Sequence, residues 1–477
     1  MSTQPGDLQA ALRQLPAVDE ALRIARVARL AARTGRAEAT GLVRRALDGL
    51  RREIAEGQLE PATLAERVGP EALAERVEAL FTAERKRGLH RVVNVTGVVL
   101  NTGIGRAPVH AEVAAHMGMA AGSFCILEVD RASGKRNRRD DHLSRLLSQL
   151  TGCEAAIAVN NNAAAAFLCL NAFAHGGECV VSRGELVEIG GSFRVPDVMA
   201  QAGVALAEVG TTNRTRIADY RGAVNERTKL LMKVHTSNFR VVGFTEEVSM
   251  AELAALGREL ELPTVFDLGS GLFEQEGLAP LPDLGGETAV HEAVASGLDV
   301  VSFSGDKLFG GPQAGILVGK RAAIEALRAN PVYRAMRLDK SALAGLEATL
   351  QLLIDGRGDE LPTRRMLRLS AQELRPVAER LAARIAAIPS LSAEVRADRS
   401  QPGSGSAPDV FLDSFSVRVS SDVHSPEALA RRLRMGEPAV FARISDGALT
   451  CDPRTLLEGD EDRLVTAFEQ IAGGAAG

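Results

Sequence analysis

Lys307 stands in residues 302–315, SFSGDKLFGGPQAG, just past an apolar run ending at Val301 and among Ser304, Gly305, Gly310 and Gly311. An amine on a tight glycine-rich turn, with small residues beside it, suits a Schiff base with a flat aldehyde cofactor such as pyridoxal phosphate, whose ring lies against backbone. An exposed surface lysine would give the same local pattern. Asp267 favours the first reading. It ends the apolar run Thr264, Val265, Phe266 and precedes Gly269, Ser270 and Gly271. A carboxylate there can keep a pyridinium nitrogen protonated, so that the ring withdraws electrons.

Other candidates take their meaning from that lysine. Asn160, Asn161, Asn162 and Ala163 stand where the strand-like AAIAV meets a helical run. The free N–H groups of a helix start make a phosphate seat, expected at Asn161, Asn162 and Ala163, with a hydroxyl added by Ser304. Plain N-capping accounts for one asparagine but poorly for the run. His235 and Asn238 follow the apolar KLLMKV. They are expected to flank the ring and to hydrogen-bond its phenolic oxygen, the other reading of His235 being a satisfied structural histidine. Arg106, Arg334 and Arg337, if brought together, would bind a compact anion with planar forked donors. Taken singly, each reads as a surface or salt-bridge arginine.

Such residues need a scaffold, and the spacing of apolar runs predicts one. Strands over 155–159, 178–181, 205–209, 229–234, 264–267, 299–303 and 314–318 alternate with helices such as 163–174, 249–260 and 287–296. That alternation predicts an α/β architecture, a mostly parallel sheet covered by helices, with ligands gathering outside the carboxyl ends of the strands. Residues 1–88, rich in Ala, Leu, Arg and Glu, form a helical domain whose proline-marked helix starts include Pro5, Pro16, Pro61 and Pro70. Residues 89–340 form the large cofactor-binding domain. Residues 341–477 supply linking helices (341–388), a polar loop at 401–409 and a small α+β domain.

The bulk numbers exclude several classes. At 477 residues, 45% apolar and 25% charged, the chain is long enough for two or three domains and has the balance of a soluble globular protein. It has neither a signal-peptide core nor an apolar run near about 18 residues, so a cytoplasmic protein with no membrane partner is expected. The five cysteines are scattered without a CxxC pair, and no metal site is expected. A net charge of −5 argues against nonspecific nucleic-acid binding by the whole chain. Basic stretches occur at Arg131–Arg145 and at Arg23, Arg26, Arg29, Arg33 and Arg36, whose spacing predicts one helical stripe; a solvated helix face would look the same.

The runs VNNNAAA (159–165), SRGELVEIGGSFRVPDVM (182–199), EVGTTNRT (208–215), HTSNF (235–239), DLGSG (267–271) and SGDKLFGGPQAG (304–315) closely resemble the bacterial selenocysteine synthases, the L-seryl-tRNA(Sec) selenium transferases. The opening LRQLPAVDEALR (12–23) is similar to that family's N-terminal domain. The resemblance implies a pyridoxal-phosphate transferase of fold type I. In selenocysteine biosynthesis, such an enzyme would convert seryl-tRNA(Sec) to selenocysteinyl-tRNA(Sec). The serine hydroxyl would leave by β-elimination, giving an aminoacrylyl-tRNA to which selenium from selenophosphate adds. It assigns Lys307 as Schiff-base lysine and proton shuttle, Asp306 as acid/base helper and Asp267 to the pyridinium. Arg106, Arg334 and Arg337 become the selenophosphate site. The N-terminal domain would grip the tRNA by shape and backbone. A homodecamer, a ring of five dimers, is implied, with Thr211 and Thr212 at a subunit contact. The chain departs from the family pattern at TGIGR (102–106), at Phe124 and at KRNRR (135–139), all at the substrate entrance.

Two other readings stand beside this one. The first is a lyase or transferase using the same cofactor on a small amino acid or amino sugar. The second is a noncatalytic RNA-binding scaffold, against which the joint presence of Asp267, Lys307 and the asparagine run argues.

Overall fold

The computed structural model describes residues 12–55, 69–85, 88–189, 193–403, 406–407 and 409–473. Pro5, Pro61, Gly190, Gly191, Ser192, part of the 401–409 loop and the Gly/Ala tail lie outside them. The chain divides into two compact units, Met1–Arg91 and Val92–Gly477.

In the first unit, helices Ala25–Thr34, Arg36–Ala55 and Pro70–Arg85 bury Val27, Leu30, Leu42, Leu47, Leu50 and Val77 against one another. Apolar residues three and four apart supply each buried stripe. The arginine stripe expected over residues 23–36 is not continuous. Gly35, at φ 94°, ends one helix, Arg23 precedes it and Arg36 opens the next. Arg26 turns inward to pair with Glu78 at 2.6 Å and Glu71 at 3.1 Å.

The second unit opens with two short strands, β1 (Val92–Asn94) and β2 (Val98–Leu100). Seven strands then build the large sheet: β3 (Ala155–Val159), β4 (Glu178–Ser182), β5 (Ala205–Val209), β6 (Thr228–Val234), β7 (Thr264–Gly269), β8 (Val300–Ser304) and β9 (Gly315–Gly319). Their order is β3-β9-β8-β7-β6-β4-β5. All pairings are parallel except those of β9, which runs against both β8 and β3. The expected strands and helices are present. β3 alternates between two apolar layers, Ala156 and Ala158 on one side and Ala155, Ile157 and Val159 on the other. Both faces of the inner strands are therefore covered, which explains why they read as apolar runs, while the edge strand β5 exposes Ala205 and Glu208.

The C-terminal part contains β10 (Leu391–Gly403), β11 (Leu412–Ser421), β12 (Ala439–Phe441), β13 (Arg443–Ser445) and β14 (Ala448–Cys451). A five-stranded sheet runs β13-β14-β11-β10-β2, and β1 pairs in parallel with β12. The segment at 92–100 thus joins the chain's far end. The helical stretch expected over 341–388 is three helices, Lys340–Ile354, Pro362–Arg368 and Ala371–Ala386. The loop expected at 401–409 begins later, because Gln401 and Gly403 pair with Val98 and Leu100. Among the described residues no helix is long and apolar enough to cross a membrane.

Candidate active site

The carboxyl ends of β3, β6, β7 and β8 meet at one edge of the large sheet, and the candidate residues lie there. Gly315 makes the approach possible. It pairs with Val159 on one side and Ser304 on the other, and a side chain on it would come within 2.1 Å of the Asn161 carbonyl. Only a bare Cα lets the start of helix Asn162–Ala174 approach β9, the strand beside β8, so closely.

Lys307 is buried, 7% exposed. Its turn is held by Gly305 N–H donating to Ala314, Gly310 N–H to Lys307 and Leu308 N–H to Ser270, at 2.9, 3.0 and 3.0 Å. Phe303 and Phe309, both almost fully buried, pack on Phe273 with centroids 5.9 and 5.2 Å away. The amine thus stands on a rigid base. Gly269 lies beside the amine, its Cβ position 3.8 Å from Nζ, an ordinary contact distance, so its φ of 72° rather than crowding is what asks for glycine there. Burial pushes the Lys307 ammonium below the ordinary lysine range, and the opposing attraction of Asp267 does not cancel that. Desolvation disfavours the charged form, leaving the amine nearer its nucleophilic state.

Asp267, also buried, accepts from Asn162 Nδ2 at 2.7 Å and Ser302 Oγ at 3.2 Å. Burial raises its carboxyl; those hydrogen bonds and the Lys307 charge pull the other way. Asn161 is a plain cap, its side chain accepting from Ala164 N–H at 2.9 Å. Asn162 reaches across to the carboxylate. Ala163 sits in the first turn, where N–H groups lack intrahelical partners. Ser304 ends β8, buried.

His235 follows β6, its backbone N–H donating to the Asp267 carbonyl at 2.9 Å. Asn238 is exposed and donates to the Glu188 carbonyl at 2.6 Å. Asp306 is buried and paired with Arg106 at 2.8 Å, while Arg337 lies 3.4 Å from Glu128 and bridges Val159. Arg334 is exposed on the short helix Pro331–Met336. Thr211 and Thr212 are exposed at the rim of a cleft of about 770 Å³ that His235, Glu287, Lys233 and Val242 also line.

Two functional features escaped sequence reasoning. Glu287 has a side chain only 2% exposed and lies 3.7 Å from His235 Nε2. Glu185 is buried against Lys233 at 3.0 Å and accepts from Val234 N–H at 2.9 Å, fixing the strand end before His235. Each follows glycine, in RGE at 183–185 and GGE at 285–287, which was the one local signal available.

The donor set fits pyridoxal phosphate. A buried amine, a buried carboxylate one strand away and a helix start share one edge. Asn162 Oδ1, His235 Nδ1, Ser270 Oγ and Glu287 Oε2 are buried there with no hydrogen-bond partner among the described residues. Buried polar atoms left so are costly unless a ligand completes them.

Comparisons with known proteins agree. Residues 92–457 match the family model described as L-seryl-tRNA selenium transferase, and residues 12–51 the one described as selenocysteine synthase N terminal. The L-seryl-tRNA(Sec) selenium transferase of Geobacter sulfurreducens is 46% identical over 470 residues, 96% of this chain and 99% of the relative. That of Aquifex aeolicus is 42% identical over 423 residues, 88% and 92% of the two chains. Among solved structures, D-glucosaminate-6-phosphate ammonia-lyase superposes with a TM-score of 0.56 at 24% identity, over 83% of this chain and 99% of that one. This likeness concerns the fold alone.

Proposed function

Because this chain belongs to the L-seryl-tRNA selenium transferase family, we propose that it converts seryl-tRNA(Sec) to selenocysteinyl-tRNA(Sec) with pyridoxal phosphate and selenophosphate, and that Lys307 carries the chemistry. The observation that bears the reading is the buried Lys307 amine on its rigid turn, with Asp267 one strand away held by Asn162 and Ser302.

Pyridoxal phosphate, when bound, supplies an aldehyde for an amine and a ring that withdraws electrons as a carbanion develops. Lys307 Nζ would hold it, and Asp267 would face its ring nitrogen. Ala163 and Ser304, with Asn161 and Asn162 shaping the helix start, would seat its phosphate. His235 and Asn238 would flank it. With the seryl group seated beside it, Lys307 Nζ would take the α-proton and return a proton to the departing hydroxyl. The depression of its ammonium by burial suits both transfers, because it makes the proton easier to give up. Asp306, adjacent in sequence, assists as acid or base.

Arg106, Arg334 and Arg337 form the selenophosphate site in this reading. Two of them already pair with carboxylates of the chain, Asp306 and Glu128, so the incoming anion would compete with these partners. The N-terminal unit, compact in its own right, grips tRNA(Sec). The assembly is a decamer of five dimers with Thr211 and Thr212 at a contact. The neighbouring Val242 and Phe244, each 85% exposed, support a buried partner surface there. An aminoacyl-tRNA substrate places the work in the cytoplasm.

Borohydride reduction of the loaded protein, followed by peptide mapping, tests the reading. Label on the peptide bearing Lys307 is expected, together with conversion of seryl-tRNA(Sec) but not free serine. Label elsewhere, or no conversion by the unmodified protein, would overturn it.

A further inference from the structure

Glu287 is a buried carboxylate that the mechanism above does not use. It follows Gly285 and Gly286, at φ 73° and 81°, in a loop pinned on both sides. Gly285 N–H donates to Asp283 at 2.8 Å, and Arg240 donates to the Gly285 carbonyl. Glu287 Oε1 accepts from Ala407 N–H at 2.7 Å, a contact with the segment between β10 and β11. It also lies 3.7 Å from His235 Nε2. The other oxygen, Oε2, is buried without a partner, as is Nδ1 of His235. The carboxylate is thus held rigidly beside one ring nitrogen, while the other nitrogen waits for a donor that no described residue provides.

A neutral imidazole carries one proton, and a carboxylate beside one nitrogen draws it there. The opposite nitrogen is left as an acceptor. At the sheet edge His235 joins Asp267 through the backbone, and the charges of Glu287 and Lys307 act on one another, so all four groups share one neighbourhood.

We propose that Glu287 is a positioning residue for His235, holding the imidazole so that its buried Nδ1 accepts a hydrogen bond from a hydroxyl-bearing ligand seated against Lys307. The inference rests on the reading of Lys307 given above. The hydroxyl has two sources of the same chemistry, the phenol of the cofactor and the seryl side chain. The charged groups that interact with this pair are Asp267 from β7, with His235, and Lys307 from the lysine turn, with Glu287; on the adjoining elements stand Asp306 and Arg106 at the lysine turn, Asp283 and Arg240 at the glycine loop, and Lys233 and Glu185 at the end of β6.

The test uses the full-length protein loaded with pyridoxal phosphate. Two readouts are followed, the pH titration of the bound cofactor's visible absorbance and the kcat and KM for seryl-tRNA(Sec). Glu287→Gln keeps an acceptor for Ala407 and removes the charge. A titration midpoint displaced by about one unit identifies the cofactor's phenol as the partner. An unmoved titration with kcat lowered about tenfold or more, at nearly constant KM, identifies the seryl hydroxyl. In the His235→Asn background, Glu287→Gln is expected to add nothing. If Glu287→Gln does not fold, Glu287→Asp, which keeps the charge and withdraws it by one carbon, is expected to show the same change in smaller degree. Unchanged readouts in the variant that folds, or effects of Glu287→Gln and His235→Asn that multiply, would overturn the proposal. Failure of the unmodified protein to convert seryl-tRNA would refute the underlying reading instead.

Discussion

Arg106 and Asp306, two hundred residues apart in the chain, are joined by an ion pair of 2.8 Å immediately beside the lysine turn. Arg106 sits at φ 55°, a left-handed conformation unusual for a side-chain-bearing residue, and the backbone there is tied in by Ala107 N–H donating to the Asp306 carbonyl. The strained residue lies beside the lysine turn, where the proposed anion site is.

Breaking that pair from either side should have different consequences. Arg106→Ala leaves the buried Asp306 carboxylate without its cation and is expected to lower stability by about 1–3 kcal/mol, the guanidinium being partly exposed. It should also raise the KM for selenophosphate. Asp306→Asn, which removes the carboxylate that competes with the anion for Arg106, is expected to lower the KM for selenophosphate and to reduce kcat. Denaturant titration and steady-state kinetics check both; equal effects on KM from the two variants would contradict the assignment.

The burial of Lys307 predicts a pH signature in the protein without cofactor. Its folded pKa lies below the unfolded one, so between the two values the unfolded chain binds more protons and stability rises with pH. Below the folded value the full penalty persists. Lys307→Met is therefore expected to melt higher than the unmodified cofactor-free protein at neutral pH, the gap closing as pH passes about 10.4, the unfolded lysine value. Thermal scans across that range decide it, and a gap that widens with pH would count against a depressed amine.

Phe309 supports the lysine turn without touching the chemistry proposed for it. Phe309→Ala should cost about 3–5 kcal/mol through the cavity left against Phe273 and Phe303. It should also loosen cofactor attachment. Full occupancy in a variant destabilised to that degree would show that the aromatic trio does not position the amine.

Removing residues 1–91, one of the two compact units, is expected to abolish seryl-tRNA(Sec) binding while leaving the cofactor spectrum intact. Gel-shift and absorbance measurements on the truncated chain check this. Retained binding would move tRNA recognition to the second unit.

Much of this was legible in the sequence, and the physical reason is local. Strands buried on both faces must be nearly unbroken apolar runs, so the inner strands of the large sheet announced themselves, and the chemistry at their ends, Asp267 and Lys307, was marked by adjoining glycines. The asparagine run was legible as a helix start, but not that Asn162 would turn to Asp267. β10 was hidden because it alternates small apolar with charged residues, one face being left exposed, and because QPG at its end reads as a turn. Long-range pairing was beyond reach altogether. That Arg106 meets Asp306, that Glu287 meets His235, and that the strands at 92–100 join the C-terminal strands are decided by how distant segments pack. A charged side chain carries no trace in sequence of the partner that will make its burial tolerable.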